Sequence, residues 1–267
     1  MTLNVLYGAS GRERLVRDVV STIGPAIAVF TEAQSTDAFE VVVNAVGRHH
    51  AWSGSRGDRE RVVIASRWPI LSSETFGPAW SPSKWVLATI QPPCGAPLVV
   101  VGVSLCPDVL WISELGRLVE ISVLLRRVST LRQPHVIAGD FNALAPGDRH
   151  SLRHAPWWVR AQRMSQGYFT PRWAITRLSA AGYQDCFRTL NPAANGFTMP
   201  SWDPQARIDY IFASSDMRGA LRSSMTQPFA GVGFEVRRTL SELLGTTSTP
   251  DLGGAASDHL AVWSGFD

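Results

Sequence analysis

Short runs rich in valine and isoleucine recur along the whole chain, and their number constrains the fold more than any other feature. They are LNVLY (3–7), AIAVF (26–30), FEVVVNAV (39–46), RVVIAS (61–66), VLATIQ (86–91), LVVVGVSL (98–105), HVIAG (135–139), RIDYIF (207–212) and HLAVW (259–263). Most are bounded by Gly, Pro, Asp or Ser, the pattern of β-strands between turns. Helical periodicity is confined to fewer places. RERLVRDVVSTI (12–23) puts Leu15, Val16, Val19, Val20 and Ile23 on one face. ISELGRLVEISVLLRRVSTL (112–131) offers Ser113 as an N-cap with Glu114 early in the helix, and PRWAITRLSAAG (171–182) stops at Gly182.

Strands outnumber helices and do not alternate with them one for one, as a doubly wound fold would require. Two sheets packed face to face with helices outside suit the pattern better. The stretches 47–60 and 149–170 read as exposed loops, and no repeat, low-complexity tract or linker divides the chain. One domain over residues 1–267 is the expectation.

Charge decides little. A net charge of +3 with a pI near 9.0 tilts basic but does not demand a polyanionic partner. Lys84 is the only lysine, so the positive charge is almost all arginine, which suits bidentate phosphate contacts and equally reflects a coding bias. Cys94, Cys106 and Cys186 have no zinc-type spacing, and any disulfide would leave one over. The N-terminus lacks the basic and apolar regions of a signal peptide, and no apolar run approaches the ~20 residues of a membrane span. A cytoplasmic protein with reduced thiols is expected, and no obligate protein partner is evident.

More informative are the acidic and amide groups at the ends of apolar strands. Asn4 lies inside the first run, Glu32 follows AIAVFT, and Asp140 and Asn142 follow HVIAG. Asp209 interrupts RIDYIF, and Asp258 and His259 open the last strand. A carboxylate buried among apolar residues is costly unless it is paired, hydrogen-bonded or bound to a cation. One such residue reads as a turn former or cap; several suggest a shared site. In extended chain, residues i and i+2 point the same way, so Asp140 and Asn142 can face one ligand while Phe141 packs behind. Oxygen donors without a Cys or His cluster favour a hard ion such as Mg²⁺ or Mn²⁺. Such an ion beside a histidine suits phosphate-ester hydrolysis.

In their order, LNVLYG, FTEAQ, GDFNALAPGD, RIDYIF and SDHLAV make the chain resemble the endonuclease/exonuclease/phosphatase superfamily, with RVVIASRWPI as a further similar segment. The resemblance runs from Asn4 to His259. It implies an α/β fold of the α+β type, a four-layer sandwich of two central, mainly antiparallel β-sheets flanked by helices. It also implies a metal site at one end of the sheets. Glu32, with Asn4 and Asp258, would hold the ion. Asp140 would orient or deprotonate the attacking water, and Asn142 would steady it or the phosphate. His259, oriented by Asp209, would stabilise charge on the phosphate.

Two positions depart from the superfamily's pattern. Ser104 stands where a histidine or tyrosine is usual, and a serine hydroxyl is a poor general acid at neutral pH. Leu6 stands where some members carry an acid two residues after the first Asn. The expected activity is metal-dependent phosphate-ester hydrolysis, leaning to a nuclease acting on DNA or RNA. Hydrolysis of lipid or sugar phosphates is the alternative, as is a degenerate member that binds a phosphorylated ligand without turnover. Specificity would reside in loops 47–60, 72–85, 143–170 and 222–256. His49 and His50 read as surface residues, Trp157 and Trp158 as base-stacking or lid residues, and Arg117 with Glu120 as a surface ion pair.

Overall fold

The computed structural model describes residues 1–54, 61–81, 84–107, 111–153, 157–165, 167, 169–227 and 255–267. Their strands form two sheets of six. The first contains β1 (Thr2–Asn4), β2 (Ile27–Ala33), β3 (His49–Trp52), β4 (Arg61–Ser66), β11 (Leu221–Gln227) and β12 (Ala261–Phe266), in the order β11-β12-β1-β2-β4-β3. The second contains β5 (Ile70–Phe76), β6 (Trp85–Ile90), β7 (Leu98–Ser104), β8 (His135–Asp140), β9 (Gln184–Asp185) and β10 (Asp209–Ala213), in the order β5-β6-β7-β8-β10-β9. The helices are α1 (Glu13–Ile23), α2 (Asp37–Val46), α3 (Trp111–Val128), α4 (Trp157–Ser165), α5 (Trp173–Ala180) and α6 (Cys186–Leu190).

Three apolar layers hold the sandwich together. Val29, Ile64, Val86, Val100, Ala138, Ile211 and Val262 meet between the sheets. The other face of the first sheet, with Leu3, Phe30 and Val63, packs on Val16 and Val20 of α1 and Phe39 and Val43 of α2. The other face of the second sheet, with Val101, Ile137 and Phe212, packs on Ile121 and Leu124 of α3 and Ile175 of α5. Strands buried on both faces explain why the sequence shows continuous apolar runs instead of alternation. The four-layer sandwich expected from the resemblance is therefore the observed fold.

Each sheet contains one parallel pair, and these pairs decide where the site lies. β1 runs parallel to β2, and β7 parallel to β8. The C-terminal ends carrying Asn4 and Glu32 thus lie side by side in one sheet, and those carrying Ser104 and Asp140 in the other. β10 runs antiparallel to β8, with Asp209 opposite Asp140. β12 runs antiparallel to β1, so the chain enters it from His259 at the same end.

Several local expectations are corrected. FEVVVNAV is helix α2, because the Thr36 side chain caps it, accepting from the Phe39 N–H at 3.2 Å, and Phe39, Val42, Val43 and Val46 share a buried face. That i, i+3, i+4, i+7 spacing outweighs the β-branched run. Strands β3, β5 and β11 and helix α4 fall in stretches read as loops. β5 is an edge strand with five consecutive exposed residues, so it lacks the apolar alternation that marks a strand. Ser113 lies inside α3 rather than capping it. Arg117 and Glu120 are buried, and Arg117 pairs with Glu114 at 2.8 Å instead. Glu120 accepts from the Cys106 N–H at 2.9 Å and from Ser81 at 3.2 Å. His49 and His50 are exposed on β3. The Trp158 side chain and residues 55–60, 82–83, 154–156, 166, 168 and 228–254 of the specificity loops lie outside the described residues. Among the described residues, no helix is long and apolar enough to cross a membrane.

Candidate active site

At the end where both parallel pairs terminate, Asp140, Asp209 and His259 converge, each buried, with one ligand atom from each within 4.8 Å of the others. Asp140 ends β8. Behind it Gly139 has φ 150°, and a Cβ there would lie 1.9 Å from the Val103 carbonyl oxygen. Only glycine lets β7 approach so closely. Phe141 turns into the core against Tyr210 and Phe212.

The extended-chain picture of Asp140 and Asn142 needs correction, because Asn142 has φ 48° and lies beyond the strand end. Its backbone N–H donates to Asp140 Oδ1 at 2.8 Å, and its side-chain Nδ2 donates to the Leu105 carbonyl at 3.1 Å. Asn142 thus orients the Asp140 carboxylate through a local turn.

Asn4 links the two sheets. Its Nδ2 donates to Glu32 Oε1 at 2.8 Å and to Asp140 Oδ2 at 3.0 Å, while its Oδ1 accepts the Leu6 N–H at 2.9 Å. The amide thus bridges two carboxylates, and the oxygen the resemblance assigns to an ion accepts one backbone N–H, which leaves it a second lone pair. Glu32 is half-buried on a bulge of β2, with φ 55°. Among the described residues, the non-glycine residues with positive φ are Leu6, Tyr7, Ala9, Glu32 and Asn142, in or next to the segments that carry the site. Backbone strain of this kind costs about 1–3 kcal/mol per residue and persists where surrounding contacts enforce it.

Asp209 opens β10. Its Oδ2 lies 2.8 Å from His259 Nδ1, whereas its Oδ1 is buried without a hydrogen-bond partner among the described residues. Asp258 lies farther out, its Oδ1 4.0 Å from His259 Nε2. Burial opposes a charge on His259, but Asp209, Asp258 and Asp140 overcome it, and the pKa is raised well above 6.5. Asp140 is pushed up to about 7, first by burial and then by the charge of Asp209, against the opposing effects of His259, Asn4 and the Asn142 N–H. Ser104 is half-buried opposite Asp140 in the β7–β8 register, and its carbonyl accepts from the Trp85 indole at 3.0 Å.

Three supporting residues were not singled out from the sequence. The Ser257 hydroxyl donates to the Asn4 carbonyl at 2.6 Å and accepts the His259 N–H at 3.2 Å, tying β1 to the final segment. Thr198 Oγ1 accepts the N–H groups of Ile208 at 3.2 Å and Asp209 at 3.4 Å. Arg12 donates to the carbonyls of Val5 at 3.1 Å and Ala256. Ser257 could have been noticed as the neighbour of Asp258. Thr198 and Arg12 carry no local signal.

The groups suit a hard cation in one respect and resist it in another. Carboxylate oxygens dominate, and the partnerless buried Asp209 Oδ1 is an acceptor awaiting a positive group. The compact trio is not a ready ion cage, however. An imidazole charged at neutral pH has no lone pair to give, and His259 Nδ1 already faces Asp209. Half-buried Glu32 and Asp258, beside this trio, are better placed to meet an ion from solvent.

A sequence model described as the Endonuclease/Exonuclease/phosphatase family matches residues 1–259. No curated protein matches the chain by sequence. Among solved structures, the 3′ phosphatase NExo from Neisseria bound to a product DNA hairpin is similar at 18% identity and TM-score 0.68, with 100% of this chain and 98% of that one covered. An AP endonuclease from Archaeoglobus fulgidus is similar at 21% identity and TM-score 0.68, with the same coverage. A humanized TDP2 of D. rerio is similar at 18% identity and TM-score 0.66, covering 100% and 97%. At these identities the likeness is one of fold.

Proposed function

The chain belongs to the endonuclease/exonuclease/phosphatase family, and from that premise we propose that it is a divalent-metal-dependent phosphoesterase acting by in-line attack of water. Residues 1–267 would form its single domain. The observation that carries this reading is the convergence of Asp140, Asp209 and His259 at the sandwich end.

The division of labour follows from each environment. Asp140 has a pKa near 7 and a carboxylate held by Asn4 and Asn142, which suits a group that accepts a proton from water. His259, kept charged by Asp209, donates to phosphate oxygens and offsets the charge that grows as the water oxygen attacks phosphorus and the ester P–O bond breaks. Glu32 and Asp258 would hold Mg²⁺ or Mn²⁺, with Asn4 spacing Glu32 from Asp140. A bound ion would supply Lewis-acid polarisation of the phosphate.

A nucleic-acid phosphodiester is the favoured substrate. Support comes from the arginine-dominated charge and from the similar folds, one of them bound to a DNA hairpin. A cytoplasmic location accords with three cysteines that form no disulfide. A binding protein without efficient turnover is the second reading, motivated by Ser104 opposite Asp140.

The test is hydrolysis of single- and double-stranded DNA, RNA, inositol phosphates, sphingomyelin and a generic phosphodiester in Mg²⁺ or Mn²⁺. Asp140→Asn and His259→Ala serve as blanks. Turnover that chelator and both substitutions abolish supports the proposal. Full activity in folded His259→Ala would end it, and tight binding without turnover would favour the second reading.

A further inference from the structure

Helices α3 and α5, packed on the second sheet, and α4, tied by Arg163 to the segment before α5, present outward side chains unlike the surface of an ordinary soluble enzyme. On α3, Trp111, Ile112, Leu115 and Val119 are exposed, and at helical spacing they fall within an arc of about 100°. The same helix buries Ile121, Leu124 and Val128, so it is apolar on two sides. A surface helix normally keeps its apolar stripe for the core. On α4, Trp157 is 72% exposed and Met164 63%. Exposed Phe169 and Trp173 lie with ring centroids 6.0 Å apart.

Hydrogen bonds link these pieces to one another and to the catalytic end. Arg163 of α4 donates to the Phe169 carbonyl at 3.0 Å, and the Ala174 N–H donates to Glu114 of α3 at 2.9 Å. Arg172 donates to the carbonyls of Ala145 and, at 2.7 Å, Asp148, in the loop that follows Asn142.

The exposed charges on these three helices are all positive, and Glu74 of β5, which reaches α3, is paired with Arg127. Glu114 and Glu120 are the only carboxylates on α3, α4 and α5, and both are buried. Arg126, Arg160 and Arg177 are exposed.

We infer that the α3–α4–α5 face docks the protein onto a lipid surface bearing anionic headgroups. Indoles with apolar bodies and a polar N–H settle at the membrane–water border, and arginines pair there with anionic lipid. A nucleic acid would account for the arginines and the stacking rings but offers nothing to Ile112, Leu115, Val119 and Met164. A second copy of the chain would set exposed arginines against exposed arginines. Docking in this way stands whether or not the proposed chemistry does.

The test is co-sedimentation of the purified protein with vesicles of phosphatidylcholine alone or mixed with phosphatidylserine. The mixed vesicles should bind it more tightly, and Trp111→Ala with Leu115→Ser should weaken that binding at least about tenfold, as expected for loss of buried apolar area. Arg126→Ala with Arg160→Ala should weaken binding to the mixed vesicles alone. Quenching of tryptophan fluorescence by brominated acyl chains reads insertion in the unaltered protein, without relying on any variant. No binding to either vesicle, or binding that Trp111→Ala with Leu115→Ser leaves unchanged, overturns the inference. So does a dimer or an oligonucleotide complex that the same substitutions abolish, in the absence of vesicle binding.

Discussion

Asp140 with Asp209, and Asp148 with Arg207, come from the same two stretches of chain, GDFNALAPGD and RIDYIF, yet they treat buried charge in opposite ways. Arg207 is 1% exposed, and its guanidinium meets Asp148 at 2.7 Å and Asp185 at 2.9 and 2.6 Å. Arg188 takes the second oxygen of Asp148 at 2.8 Å. Tyr210, whose ring lies 4.4 Å from Arg207, holds the Ala145 N–H at 2.9 Å and the Ala143 carbonyl at 2.9 Å. Every carboxylate oxygen in that network has a partner. In the candidate cluster two carboxylates face one another across β8 and β10, one of them is pushed toward protonation, and a buried oxygen has no partner among the described residues. Satisfied buried charge fixes a loop, whereas unsatisfied buried charge retains the capacity to bind something else.

The sharpest way to break this comparison is to neutralise one member of each pair. Asp140→Asn should lower turnover by about a hundred- to ten-thousand-fold, the usual worth of a positioned general base. Its melting temperature should hold or rise, because repulsion from Asp209 is relieved. A large loss of stability in calorimetry would show Asp140 to be structural. Arg207→Met should behave inversely, costing about 3–5 kcal/mol by leaving Asp148 and Asp185 buried and unpaired. Urea denaturation that finds it as stable as wild type would refute the contrast.

Asp209→Asn should lower turnover at least about a hundredfold, through loss of the charged, oriented histidine. The His259 pKa should drop, followed by NMR titration of its ring protons. Because folding raises that pKa above 6.5, the stabilisation is fully present below pH 6.5 and disappears as pH climbs through the folded value. Asp209→Asn should therefore flatten the stability profile on the alkaline side, and an unchanged profile would count against the pairing. Asp140 works in the same sense over a lower window, losing stability as pH rises from 3.8 toward 7 while the folded state resists ionisation. Mg²⁺ or Mn²⁺ should raise the melting temperature most above pH 7, an effect Glu32→Gln weakens if that carboxylate is a ligand. The smallest effect is expected at Ser104→Ala, less than about tenfold in turnover, since a hydroxyl there is a weak proton donor. A larger loss would assign Ser104 a direct part.

What was legible in the sequence depended on whether the signal was local. GDFNALAPGD, RIDYIF and SDHLAV each carry their chemistry within a few residues, so Asp140, Asp209 and His259 could be named together before any geometry was known. Two sheets face to face with helices outside followed from apolar strands that outnumber helices, and the four layers from the resemblance. Helix α2 was misread because a β-branched run looks like a strand until its Thr36 cap and its packing partners are considered. Strand β5 was missed because edge strands are held by a neighbour's backbone rather than by their own apolar pattern.

By itself, the sequence determined the fold class and the order in which the chemical groups are strung. Only the tertiary structure decided that Asn4 spends its oxygen on Leu6 and its amide on two carboxylates, and that Asn142 leaves extended geometry. It also decided that both oxygens of Asp148 are paired while Asp209 Oδ1 has no partner among the described residues, and that α3 turns Leu115 and Val119 outward. Each of these depends on which distant segment fills the space around a side chain, and that is set by packing two sheets together rather than by neighbours along the chain.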